Sequence, residues 1–216
     1  MHVTPPRSPG RHPRDPARTR ARILAAALHE FSAQGFAGAR VDRIAGRARV
    51  NKRMLYHYFG DKDGLFRAIL KAKLGQRLEW LAASPPDLAR SLAFWFERLL
   101  GDADWVRLME WEALGGRAGP VIGEAERRAA YDRGVRWLRA GQAEGWIPRG
   151  LDARHLLLSL MALTTFPLAF PQLTRLVTGT TPGHPAFRRH RVVFLRRFAR
   201  ALADHGTRGG ATALHA

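Results

Sequence analysis

Between Gly35 and Asp61 the chain has room only for short pieces of regular structure. Glycines or turns interrupt it at 35–40, 49–51 and 60–61, leaving VDRIAGRA over 41–48 and KRMLYHYF over 52–59. Each segment is two helical turns long. In the first, Val41, Ile44, Ala45 and Ala48 fall on one face at helical spacing. In the second, Leu55 and Phe59 lie one turn apart, and Asn51 stands where an N-cap is needed. Two such helices can cross steeply only where the contact between them is small, and Ala45, Ala48, Val50 and Leu55 supply that contact. The spacing predicts a helix-turn-helix.

The flanking segments complete a small core around it. Asp15-Pro16 is a helix-start pair, and Ile23, Leu24, Ala27, Leu28 and Phe31 recur at helical spacing as far as Gly35. Leu24, Ala27 and Phe31 form the third wall, closed by Phe59, Leu65 and Phe66. Asp61 caps a longer helix over 62–82. Ser84-Pro85-Pro86 then separates this unit from further helices expected over 87–100, 104–114, 120–145, 152–166 and 186–204. Pro167 and Pro171 should kink or interrupt the apolar segment that starts at Asp152. No alternating run reads as a strand, and no repeat has solenoid spacing. The expected fold class is all-α, with a three-helix helix-turn-helix domain over 15–62 and a larger helical domain over 63–204. Residues 1–14, rich in Pro and Arg, read as a disordered arm, and 205–216 as a frayed tail.

Charge points to the partner. The chain carries a net charge of +18 over 216 residues. Residues 1–60 hold 12 Lys/Arg against 3 Asp/Glu, which is half of that excess in little more than a quarter of the length. A basic concentration of this kind favours a polyanion. The 46% hydrophobic content is that of a folded protein. With no Cys, disulfides, Cys-zinc sites and Cys nucleophiles are excluded. There is no apolar leader, and 156–170 is short for a membrane span and interrupted by Pro167, so no membrane partner is expected. No P-loop, dinucleotide fingerprint or HExxH motif occurs, and the nine His lack metal-ligand spacing. The chain reads as a cytoplasmic non-enzyme without a metal or cofactor.

In the segment 52–59, Lys52 and Tyr56 are one turn apart, as are Arg53 and His57. Exposed Lys and Arg are ordinary taken singly. Here they stand in a row beside a helix N-terminus, which favours phosphate. A major groove admits one such helix, with Arg or Lys able to bond guanine O6 and N7. The segment therefore reads as a recognition helix for double-stranded DNA.

Residues 17–71 resemble the DNA-binding module of the tetracycline-repressor-like (TetR) family of bacterial transcription regulators. The match runs through Phe31, Gly35-Phe36, Val41-Asp42, Ile44-Ala45, Ala48 and Val50-Asn51-Lys52. It continues in the LYHYFGDKD run from Leu55 to Asp63 and closes with Leu65-Phe66. It covers about a quarter of the chain, and the helical remainder fits the family's second domain. The resemblance implies that Lys52, Arg53 and Tyr56 contact DNA in the groove, with His57 beside them. Tyr58 and Lys62 would hold flanking phosphates, and Arg43 would lie on the approach side. The chain departs from the family pattern at four positions. Arg40 replaces a capping Ser or Thr and would reach a phosphate instead. Arg49 replaces a Gly at a position that often needs positive φ, at a cost on the order of 1 kcal/mol. Arg53 replaces a small residue, and Tyr58 replaces a His. In the arm, Arg7, Arg11 and Arg14 would either enter the minor groove or add only nonspecific attraction.

For the second domain most aromatics read as core. The resemblance adds an apolar effector cavity, for which Trp95, Met109, Trp111, Trp137 and Phe166 are the candidates, with Glu110 and Glu112 able to select a cation or to pair structurally. It also implies a four-helix homodimer interface, with Leu156 and Leu160 on one helix and Phe187, Phe194, Phe198 and Ala201 on the last. The implied function is a repressor that binds a palindromic operator as a homodimer and is released by a small-molecule effector. An activator with the same module and a nonspecific architectural protein are the alternatives.

Overall fold

The computed structural model describes residues 15–114 and 121–209, with side chains as far as Asp204. The arm over 1–14 and the end of the tail lie outside the described residues. Ten helices and no strand occur among them. These are α1 Pro16–Gly38, α2 Val41–Ala48, α3 Lys52–Phe59, α4 Lys62–Ala82, α5 Leu88–Leu100, α6 Ala103–Leu114, α7 Glu124–Glu144, α8 Ala153–Ala169, α9 Pro171–Thr178 and α10 Pro185–Gly209.

Local chemistry sets most boundaries. Asp15, Asp61, Asp87 and Asp152 each accept a backbone N–H of the first turn of the helix they start. Gly35, at φ 68°, breaks α1 where the sequence placed its end, and one further turn follows the kink. A side chain there would also strike the Trp111 indole, since a Cβ would come within 2.8 Å of the ring. The helix expected from Pro120 begins instead at Glu124, after Gly123 in the left-handed region. Pro120 itself lies outside the described residues.

The apolar residues sort into two cores. One joins Ile23, Ala27 and Phe31 of α1 with Ile44 of α2, Leu55 of α3 and Leu65 of α4. It also takes in Leu108 of α6, which is fully buried. Phe31, Phe36 and Phe66 pack ring against ring at 5.0–6.0 Å inside it. The second core joins α5, α7, α8 and α10 around Phe96, Leu138, Ile147 and Leu195, all without solvent exposure.

Of the two prolines expected to kink or interrupt the apolar segment from Asp152, Pro171 starts a new helix and Pro167 does not end the old one. α8 runs through Pro167 to Ala169, and the break falls at Phe170, after which α9 turns away by 90°. Pro167 has no N–H for the Leu163 carbonyl one turn back. Arg191 of α10 supplies the missing donor, with Nη2 at 2.6 Å from that oxygen. Thr174 of α9 donates to the Pro167 carbonyl at 3.1 Å. No single helix among the described residues is long and apolar enough to cross a membrane.

Arg191→Met should lower stability by about 1.5–3 kcal/mol, the range for a charged donor to a carbonyl. Pro167→Ala in the same chain should recover part of that loss, because an alanine there restores the helix's own N–H. Urea unfolding of the two single variants and the double variant measures the coupling.

Candidate nucleic-acid interface

The turn between α2 and α3 positions the interface. Arg49 adopts φ 51°, ψ 49°, the only non-glycine with positive φ among the described residues. The Arg49 N–H donates to Gly46 O and the Val50 N–H to Ala45 O, both at 3.0 Å, which closes α2 in a Schellman turn. The left-handed position foreseen for this site is thus occupied by a residue with a Cβ. Arg22 of α1, unnoticed in the sequence, offsets part of that strain. Its Nη2 donates to the Ala48 carbonyl and, at 3.2 Å, to that of Arg49. Asn51 then caps α3, its Oδ1 accepting the Arg53 N–H at 2.9 Å.

The start of α2 is held in a way the sequence did not reveal. Arg40 makes no side-chain cap. Its own backbone N–H donates to Glu30 Oε1 at 3.1 Å, so a buried carboxylate of α1 does the work of a local cap. The same oxygen lies 3.9 Å from the Arg43 guanidinium.

With its ends set, α3 turns Leu55 into the core and leaves Lys52, Arg53, Tyr56 and His57 exposed together. Tyr58 is half-buried, its ring edge-on to His57 at 5.4 Å and tilted on Phe59 at 6.2 Å. Lys62 lies over the Phe36 ring at 5.0 Å and donates to Ala37 O at 3.4 Å. Arg20 of α1 sits over Phe59 at 5.4 Å and adds a cation at the back of α3. Lys52 is engaged within the protein: its Nζ lies 2.8 Å and 3.1 Å from the two oxygens of Asp42. That hydrogen bond, above all, holds the Lys52 pKa above its ordinary value.

This arrangement is shared with known proteins. The family model of bacterial regulatory proteins, tetR family, matches residues 23–69. The tetracyclin repressor-like C-terminal domain matches residues 87–198. The HTH-type transcriptional repressor SCO4008 of Streptomyces coelicolor is 38% identical over 170 residues, covering 77% of this chain and 86% of that protein. This chain belongs to the TetR family. The HTH-type transcriptional repressor NicS of Pseudomonas putida is 33% identical over 161 residues, covering 69% of this chain and 75% of that one. Among solved structures, transcriptional regulator SCO4942 of Streptomyces coelicolor superposes with a TM-score of 0.70 at 27% identity, over 83% of this chain and 97% of that one. The ketosteroid transcriptional regulator KstR2 of Mycobacterium tuberculosis shares the fold, with a TM-score of 0.65 at 20% identity over 84% and 93% of the two chains.

The protein is therefore a transcriptional regulator of TetR type and not an enzyme. Its five effector-site candidates lie in separate surroundings. Trp95 packs on Trp80 and Phe94. Met109 lies against the first core. Trp111 covers Gly35 and donates from Nε1 to Ser32 O at 3.2 Å. Trp137 packs on Trp146 at 5.3 Å, and Phe166 on Phe170 at 4.9 Å. Glu112 is in a two-pronged ion pair with Arg127, at 2.7 and 3.3 Å. Desolvation holds the Glu110 carboxyl above the usual carboxylate range.

The dimer residues of this TetR-family regulator divide. Leu156, Leu160 and Phe187 are buried in their own protomer's second core, so they cannot form a surface for a partner. The segment is apolar all round, and its pattern alone does not say which stripe turns inward. The outward stripe of α8 is Leu158, Met161 and Phe166. On α10, Phe194 and Phe198 are exposed and stacked at 6.1 Å, and Ala201 is exposed one turn on.

Asp42→Asn should release Lys52 and tighten binding to any duplex, with the larger gain for unrelated sequences. Fluorescence anisotropy over a salt series reads this as a steeper slope, by about one counterion, together with a smaller ratio of specific to nonspecific affinity.

Proposed function

We propose that this regulator binds a palindromic operator as a homodimer and is released from it by a small-molecule effector, acting as a repressor in the bacterial cytoplasm. The observation that carries the DNA reading is α3, a short capped helix with its one buried side chain turned to the core and four polar side chains turned out. Its N-terminal end, with Lys52 and Arg53, would enter the major groove. Tyr56 would touch a base edge or a thymine methyl, with Arg40, Arg43, Tyr58 and Lys62 nearer the flanking phosphates. Residues 15–62 serve DNA, and 63–204 serve the effector and the partner. The repressor sense is supported by the names of the relatives SCO4008 and NicS.

The dimer reading rests on the two exposed apolar stripes. Leu158, Met161 and Phe166 of α8, with Phe194, Phe198 and Ala201 of α10, would pair with their copies in a four-helix contact. Two recognition helices related in this way must sit roughly 34–36 Å apart, one DNA turn. Effector binding would change that spacing through α4, which runs from the first core toward the second domain, and α6, which enters the first core at Leu108.

Selection from a random DNA pool should enrich a palindrome with the native chain and none with the Lys52→Ala/Tyr56→Ala double variant. Salt-sensitive binding to every duplex without enrichment would instead mean a nonspecific architectural protein. Phe194→Asp/Phe198→Asp should sediment as a folded monomer and lose operator binding by a factor of about 100 or more, since each half-site is then bound alone.

A further inference from the structure

α4, α6 and α7 meet around a buried group of charges that the helix-turn-helix does not use. Lys73 and Arg77 stand one turn apart on α4 and share Asp102, which precedes α6. Lys73 Nζ is 2.5 Å from one carboxylate oxygen and Arg77 Nη2 is 3.0 Å from the other. Both oxygens are then taken. The Arg77 guanidinium lies over Trp80 at 4.2 Å and Trp105 at 5.1 Å. Its Nε and Nη1 are buried and have no acceptor among the described residues. On α7, Arg127 spends Nη1 and Nη2 on Glu112, its Nε is buried without an acceptor among the described residues, and its guanidinium lies over the same Trp105 at 5.6 Å.

Among the described residues Lys73, Arg77 and Arg127 pair only with Asp102 and Glu112, which leaves three cationic charges against two carboxylates. Side-chain exposure of the two arginines is 10% and 9%. Buried donors normally have acceptors, and a buried charge normally has a counter-charge. Burial pushes the Arg77 pKa down to about 10, with Asp102 opposing, so the guanidinium stays charged at neutral pH. Arg127 is also the only buried residue of α7 before Val135. The first half of that helix is therefore held largely by the Arg127–Glu112 ion pair. Tyr131, one turn beyond Arg127, is 46% exposed.

We propose that this α4–α6–α7 seam is the effector site and that it takes a planar organic monocarboxylate. The carboxylate accepts from one of the unpaired N–H groups of Arg77 and from Nε of Arg127, and the ring lies along the indoles of Trp80 and Trp105. One negative charge completes the balance. The inference rests on the effector-release reading above.

The test uses the full chain, free of DNA. Thermal unfolding and tryptophan fluorescence are followed with benzoate, 2-naphthoate and indole-3-acetate, each beside its carboxamide. At least one carboxylate should raise the Tm and quench the fluorescence in a saturable way, and its amide should do neither. Arg77→Lys keeps the charge and the Asp102 partner but loses the fork, and should bind that carboxylate at least about tenfold more weakly. No response to any carboxylate, equal responses to acids and amides, or undiminished binding by Arg77→Lys overturns the site. A carboxylate that binds through Arg77 but leaves the selected operator bound keeps the site and overturns the release reading. A selected operator released by other compounds, with no carboxylate binding, does the reverse.

Discussion

Leu108 lies by sequence well beyond the helix-turn-helix, yet it is buried without solvent exposure in that unit's core. That one burial makes α6 part of the helix-turn-helix unit. Trp111, one turn further along, seats its indole in the elbow of α1 at Gly35 and donates to Ser32 O, while Asp104 accepts from Ser32 Oγ at 2.8 Å. The two-turn helices α2 and α3 are too short to persist alone and exist because α1, α4 and α6 complete their core. α6 forms a wall of that core, with Trp105, Leu108 and Met109 packed against it.

Arginine does unusual structural work here. Arg22 takes the carbonyls left open at the α2–α3 turn, and Arg191 takes the Leu163 carbonyl orphaned by Pro167. Arg127 holds α7 to α6 through Glu112. The planar fork suits all three, because it reaches a carbonyl or a carboxylate while its stem lies along apolar surface. The high arginine content therefore has two uses: an exposed basic face at one end and internal donors elsewhere. Arg127 and Arg191 each have one buried nitrogen without an acceptor among the described residues, and Arg77 has two.

Local chemistry in the sequence was enough to place α2, α3 and α4, together with the Asn51 and Asp61 caps, whereas the left-handed position at 49 came from the family resemblance. Those features depend on a few neighbours along the chain: a cap, a breaker, a helical period. The division of α3 into a buried Leu55 and an exposed row was legible for the same reason. Legibility failed where long-range partners decide. Pro167 alone says that a helix stops, and only α10, folded back to bring Arg191 beside Leu163, lets it continue. Aromatic spacing marked Trp95, Met109, Trp111, Trp137 and Phe166 as companions, and packing sent them to separate neighbourhoods.

The sequence by itself therefore determined an all-α chain with a basic helix-turn-helix at one end, because caps, breakers and charge act over a few residues. Only the tertiary structure decided which apolar stripe of α8 faces outward, which carboxylate replaces the missing cap at Arg40, and which buried arginines lack acceptors. Each of these depends on side chains tens of residues apart meeting in space, and helical periodicity carries no record of which faces meet.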